Sequence, residues 1–279
     1  MQKVIVVGAG QMGGGIAQVC AAADLDVTLV DVGEEHLERG VAAIEKSLTR
    51  LAEKGGRAAD EVLANLSTST TIPDDPGAEM AIEAVIEDET IKRAVLAELD
   101  DKLAQSAIIA TNTSSIPITR LSQATHRPEQ FIGMHFMNPV PMLPLVEVIR
   151  GLATSDETVA ATVELTKRLG KTPVEANDFP GFIGNRILMP MINEAIFALM
   201  EGVGTADAID EVMTLGMRHP LGPLALADLI GLDTCLFVME VMHKGLGDSK
   251  YRPCPLLRQY VEAGWLGRKT GRGFFEYGS

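Results

Sequence analysis

Paired cysteines are missing from this 279-residue chain. Its three thiols, Cys20, Cys235 and Cys254, are scattered and odd in number, which argues against a disulfide framework and for a reducing cytoplasm. No Cys-x-x-Cys and no histidine cluster suggests a metal site. No apolar run approaches the ~18–20 residues of a membrane span. A strand-like run begins within three residues of Met1, which leaves no room for a leader in the sequence as given. Positive charge is also short: 24 Lys and Arg against 38 Asp and Glu leave a net charge of −14. Such a chain repels nucleic acid and anionic membrane surfaces, so a site for a polyanionic ligand must gather its cations locally. Core-forming residues are plentiful, at 46% hydrophobic, and the length allows one large domain or two ordinary ones.

The chain is organised around its beginning. Val4 to Val7 is an apolar run of strand type, Gly8, Gly10 and Gly13 follow as Gly-x-Gly-x-x-Gly, and a helix-like run leads to Ala23. Gly8 suits a tight turn, Gly10 lets a pyrophosphate approach the backbone, and Gly13 lets the helix pack closely. The helix N-terminus would face the phosphates. A second strand, Asp26 to Val30, ends in Asp31, at the distance expected of a carboxylate that accepts hydrogen bonds from an adenosine ribose. Such a carboxylate repels a 2′-phosphate, and no Arg follows in Val32-Gly33, so the expected cofactor is NAD. The alternative is a glycine-rich turn in some other α/β protein.

Strands then alternate with helices: strands 66–72, 80–85, 107–110, 131–136, 145–149 and 172–175, helices 34–54, 89–103 and 155–170, and a turn at Pro73 to Gly77. That alternation predicts a doubly wound, mainly parallel sheet covered on both faces. Beyond Pro180-Gly181 the periodicity is almost wholly helical, with Pro190 inside the first helix, where it should kink it or mark a local irregularity. The expected fold is α/β: a Rossmann-type domain over 1–183 and a smaller all-helical domain over 184–279. On the helix 34–54, Lys46, Arg50 and Lys54 recur every fourth residue, with Arg57 just beyond. They can be a solvated face at a helix C-terminus, or a seat for a phosphate-rich ligand.

His135 lies at the end of a strand, where open α/β sheets place their ligands. Glu147 stands in the apolar strand Leu145 to Ile149, and a carboxylate there is costly unless paired. The two strands can bring it beside the imidazole, fixing tautomer and ring direction. The other histidines, His36, His126, His219 and His243, show no such partner in the sequence. An enzyme that oxidises an alcohol needs a base for the hydroxyl proton and donors for the oxygen. Ser114 and Asn185 are candidate donors; alone, each reads equally as a cap or a backbone-bonded amide.

Together the motifs resemble the short-chain L-3-hydroxyacyl-CoA dehydrogenase family. The matching pieces are 8–18, Asn-Thr-Ser-Ser at 112–115, Gly-Met-His-Phe-Met-Asn-Pro-Val-Pro at 133–141 and Leu-Val-Glu-Val-Ile at 145–149. Pro-Gly-Phe-Ile-Gly-Asn-Arg-Ile at 180–187, His-Pro-Leu-Gly-Pro at 219–223, Gly-Leu-Asp-Thr at 231–234 and 264–274 also match. The resemblance implies His135 as catalytic base with Glu147 as its partner, and Ser114 and Asn185 on the substrate's 3-oxygen. It implies Gly8, Gly10, Gln11, Met12, Gly13, Asp31, Glu87, Lys92, Asn112, Asn138 and Lys269 at or near NAD, and Arg50 and Lys54 on coenzyme A. It also implies an acyl-CoA substrate, a homodimer made through the helical domain, and a substrate cleft between the domains. Phe136-Met137 departs from a more usual Phe-Phe. Two rivals stay open: a dehydrogenase of free 3-hydroxy acids, which would lack the His135 and Glu147 pairing, and a non-catalytic protein that has kept the fold.

Overall fold

The computed structural model describes residues 1–74 and 76–278. The chain divides into two compact units, Met1–Phe179 and Pro180–Ser279. The first unit carries one eight-stranded sheet: β1 (Lys3–Val7), β2 (Asp26–Val30), β3 (Leu66–Ser69), β4 (Met80–Glu83), β5 (Ile108–Thr111), β6 (Phe131–Phe136), β7 (Leu145–Arg150) and β8 (Thr172–Asn177). Their order is β3-β2-β1-β4-β5-β6-β7-β8. The chain winds one way from β1 to β3, then crosses back to β4 and winds the other way. The topological switch therefore lies between β1 and β4, where such sheets open a crevice at the strands' C-terminal ends.

All pairings are parallel except β6 with β7. Only an antiparallel partner can follow β6 through the short loop 137–144, since a parallel return needs a longer crossover. The helices of this unit are α1 (Gln11–Ala22), α2 (Glu34–Ala52), α3 (Ala59–Leu63), α4 (Glu89–Lys102), α5 (Ile118–Ser122) and α6 (Asp156–Arg168). Val4 and Val6 of β1, Ile82 of β4 and Ile132 of β6 are fully buried and form one core with Ile16, Leu37, Ile44 and Leu48 of the helices. The apolar positions of α2 fall every three to four residues, so one stripe is buried and the rest of the helix is wet. The expected helix stops at Ala52, so Lys54 sits in the turn beyond it. The turn expected at Pro73 to Gly77 contains Asp75, which lies outside the described residues.

The second unit holds α7 (Gly184–Met200), α8 (Ala206–Glu211) continued by a π-helical turn (Val212–Gly216), α9 (Pro223–Ile230), α10 (Leu232–Leu246) and α11 (Pro255–Glu262). The junction expected at 183/184 falls at the first residue of α7, four residues past the division of the two units. Helix α7 runs unbroken through Pro190; Ile192, Asn193 and Ile196, just beyond it, are buried in this unit's own core. Asn193 donates to the Arg252 carbonyl at 3.0 Å and accepts from the Cys254 N–H at 2.8 Å. All three cysteines are buried and unpaired, and burial pushes the thiols of Cys20 and Cys235 up to about 12.

Candidate active site

The glycine turn is tighter than its motif required. Gly8 has φ +106, and a Cβ there would meet the Ala84 carbonyl oxygen at 2.6 Å, so the chain leaving β4 forbids a side chain as firmly as the dihedral does. A Cβ on Gly13 would lie 1.8 Å from the Gly8 oxygen. The close approach that needs Gly13 is thus to the turn itself. At Gly10, by contrast, a Cβ would meet nothing within 4 Å: the space in front of this residue is open. No side chain caps α1, so its first N–H groups are available to an anion. A pyrophosphate fits this cradle. Gln11 is exposed and Met12 half-buried in the same turn.

Asp31 leaves β2 beside that turn. Its Oδ2 accepts from the Ala9 N–H at 2.8 Å, and its Oδ1 from His36 Nδ1 at 2.9 Å and the Gly33 N–H at 3.4 Å. Burial works to raise its pKa, but these donors hold the carboxyl below its usual range. An ionised carboxylate at the end of β2 suits a ribose diol.

Across the switch point a buried charge network supports the loop after β5. Glu83, the last residue of β4, is wholly buried; it accepts from Lys92 Nζ at 2.7 Å, Thr111 Oγ1 at 2.6 Å and the Val85 N–H at 2.8 Å. Lys92 also stands 3.3 Å from Glu87. One oxygen of Glu87 accepts from Thr113 Oγ1 (2.7 Å), the Ser114 N–H (2.9 Å) and Oγ (3.2 Å), and the Ser115 N–H (3.1 Å) and Oγ (2.9 Å). Burial pushes the Glu87 carboxyl up; the Lys92 charge and these donors outweigh it and keep the group ionised below its usual range. Glu87 therefore fixes the loop that carries Ser114. Lys92 is almost fully enclosed, so its ammonium bears on this surface through Glu87.

Next along the sheet, Asn112 Oδ1 accepts from the Phe136 N–H at 2.9 Å and ties the end of β5 to the end of β6. His135 and Glu147 are direct cross-strand partners. Their side chains share one face because the register pairs them, and Nδ1 of His135 meets Oε2 of Glu147 at 2.7 Å. A carboxylate accepts here, so Nδ1 of His135 is the donor to Glu147 and Nε2 is the ring's other nitrogen. The exposed Asn138 follows, before Pro139.

The family model for the NAD binding domain of 3-hydroxyacyl-CoA dehydrogenase matches residues 3–179, and the model for that enzyme's C-terminal domain matches 181–277. The chain belongs to the 3-hydroxyacyl-CoA dehydrogenase family. A 3-hydroxybutyryl-CoA dehydrogenase of Bradyrhizobium diazoefficiens is 54% identical over 99% of this chain and 96% of that protein. The mitochondrial hydroxyacyl-coenzyme A dehydrogenase of Rattus norvegicus is 41% identical over 99% and 91%. Among solved structures, the (S)-3-hydroxybutyryl-CoA dehydrogenase of Ralstonia eutropha superposes with a TM-score of 0.97 at 49% identity, covering all of both chains.

Other expected residues stand on α2 and in the second unit. Arg50 lies in the last turn of α2 with Lys46 exposed one turn before it, and Lys54 is exposed just past the helix. Arg57 does not join them: it binds Asp24 at 2.7 Å and the Ala22 carbonyl at 2.8 Å. In the second unit, Asn185 is half-buried in the first turn of α7, and Lys269 Nζ lies 2.6 Å from both oxygens of Asp233. Two expectations change. Histidines other than His135 do have carboxylate partners: His36 meets Asp31 at 2.9 Å and His126 meets Asp100 at 2.8 Å. Glu83 was missed, although it ends an apolar strand and so carries the same signal that singled out Glu147. Among the described residues no cluster suited to a metal occurs, and no helix is long and apolar enough to cross a membrane.

Proposed function

We propose that the chain oxidises (S)-3-hydroxybutanoyl-CoA, or a related short 3-hydroxyacyl-CoA, to the 3-oxoacyl-CoA with NAD, and catalyses the reverse reduction. The observation that carries this reading is the 2.7 Å contact between His135 and Glu147 at the C-terminal edge of the sheet. When bound, NAD supplies the hydride acceptor; Gly8, Gly10, Gln11, Met12 and Gly13 would hold its pyrophosphate and Asp31 its ribose, with Glu87, Lys92, Asn112, Asn138 and Lys269 at or near it. His135 Nε2 takes the proton of the substrate's hydroxyl, and Glu147 steadies the imidazolium that results. In reduction the same nitrogen returns the proton. Ser114 and Asn185 donate to the 3-oxygen as its charge changes.

Arg50 and Lys54 supply the local positive charge that an acidic chain needs to accept the phosphates of coenzyme A. The names of the Bradyrhizobium and Ralstonia relatives support the four-carbon substrate. The second unit presents Val203, Val212, Leu215 and Met217 to solvent beside an apolar cavity of about 470 Å³ lined by Met191, Ala195 and Ile209. That surface supports a homodimer made through this unit, and three buried thiols suit the reducing cytoplasm.

An NADH absorbance assay with acetoacetyl-CoA and with free acetoacetate tests the reading. Turnover of the thioester and not of the free acid is expected; turnover of the acid alone overturns it. Replacing Arg50 and Lys54 together by Ala should raise KM for the acyl-CoA about tenfold and flatten its salt dependence, with kcat little changed. An unaltered KM and salt dependence returns both cations to a solvated helix face.

A further inference from the structure

We propose that His36 is a specificity-determining residue for the dinucleotide: seated on Asp31, it sets how strongly a 2′-phosphate is refused, and does so through its own charge. The inference rests on the reading of Asp31 as the ribose acceptor. Within the Asp31 carboxylate the two oxygens have different work. Oδ2 is drawn into the glycine turn by the Ala9 N–H at 2.8 Å, whereas Oδ1 carries the His36 ring at 2.9 Å. The ring lies over Gly33, where a Cβ would come within 3.4 Å of its Nδ1. His36 sits in the first turn of α2, whose N-cap, Gly33, offers no capping side chain. The helix N–H groups and the imidazole thus bear on the same spot. The ring is half exposed, so its charge can change without unfolding anything.

Its own helix brings charged neighbours, Glu38 among them. Glu34 and Glu35 share its helical turn and Arg39 stands one turn on. The end of β3, held by the bond from Asp31 N to Ser69 O, brings the uncharged Ser69, Thr70 and Thr71. The glycine turn adds Ala9 and Gly10, also uncharged. When the imidazole is neutral, its pair with Asp31 carries one negative charge and repels a 2′-phosphate. When it is an imidazolium the pair is neutral and the ring's second N–H is a donor for that phosphate. Histidine is the side chain that makes this change between about pH 5 and about pH 8. The 2′-phosphate itself takes up a proton near pH 6 or so, so the role of His36 is the part of the pH response that a His36 variant loses.

The test is equilibrium binding. NADH and NADPH dissociation constants are measured by nucleotide fluorescence at about pH 5.5 and about pH 8.5, in the parent and in His36→Gln, His36→Lys and Asp31→Asn. On acidification the NADPH-to-NADH ratio of constants should fall about fivefold more in the parent than in His36→Gln, the scale of one partly exposed ion pair. His36→Lys, a permanent cation, should keep the ratio low throughout, and Asp31→Asn should lower it at both pH values. A ratio that moves with Asp31→Asn but responds to pH identically in the parent and His36→Gln overturns the inference and leaves Asp31 as ribose acceptor. A ratio indifferent to Asp31→Asn overturns both.

Discussion

His135, His126 and His36 each hold a carboxylate through Nδ1, at 2.7, 2.8 and 2.9 Å. Distance does not separate them; burial and the carboxylate's other duties do. His135 is 12% exposed on a Glu147 that is 2% exposed, so the pair is screened from water yet the ring reaches the surface. His126 is 87% exposed on an equally buried Asp100. That carboxylate is a structural anchor: it accepts from Arg127 Nε at 2.6 Å and the His126 N–H at 2.8 Å, while Arg127 NH2 donates to the Asp100 and Leu103 carbonyls at the end of α4. The His126 ring is an appendage to that anchor. His36 stands between the two, half exposed on a carboxylate that also organises the glycine turn. An imidazole on a carboxylate is therefore not by itself a base. The one proposed here as base, His135, is set apart by its burial and by its place at the C-terminal end of a strand.

The comparison breaks most visibly at His135. His135→Gln should cut turnover of acetoacetyl-CoA by roughly 10²–10⁴-fold while the NADH dissociation constant stays within about twofold; a loss under about tenfold would remove His135 as base. Asp100→Asn should leave turnover alone and cost about 3–5 kcal/mol of stability, because it strands the buried Arg127, read as the shift in a denaturant midpoint. Its pH dependence has a defined sign. Burial pushes the Asp100 carboxyl up, but the His126 and Arg127 donors hold it below its usual value. The stability it contributes is complete above the unfolded pKa of about 3.9 and is lost as pH falls from there through the folded value. Melting temperatures measured from about pH 6 to about pH 2 should show a steeper acid decline in the parent than in the variant. The smallest effect belongs to His126→Gln, with stability within about 0.5 kcal/mol and activity unchanged. A large loss there would mean that burial of the ring is the wrong discriminator.

Much of the local geometry around the candidate site was legible in advance for local reasons. The glycine turn, Asp31 after the second strand, and a carboxylate stranded in an apolar strand all announce themselves within a few residues. The antiparallel turn from β6 to β7 follows from the short loop 137–144. The sharing of Glu87 among Thr113, Ser114 and Ser115 was hidden, because it joins segments more than 25 residues apart. Arg57 read as part of a cationic face; in the fold it is spent on Asp24, a neighbour that no helical periodicity could reveal.

Sequence alone determined the periods: alternating strands and helices in the first unit, helices in the second, and which residue types stand at the ends of strands. Those are local consequences of backbone sterics and apolar spacing, and they survive without knowledge of partners. Tertiary structure alone decided which carboxylate each cation and each imidazole would meet, and how deeply. Such pairings depend on register and on the dielectric of the surroundings, and both exist only once the sheet has closed around them.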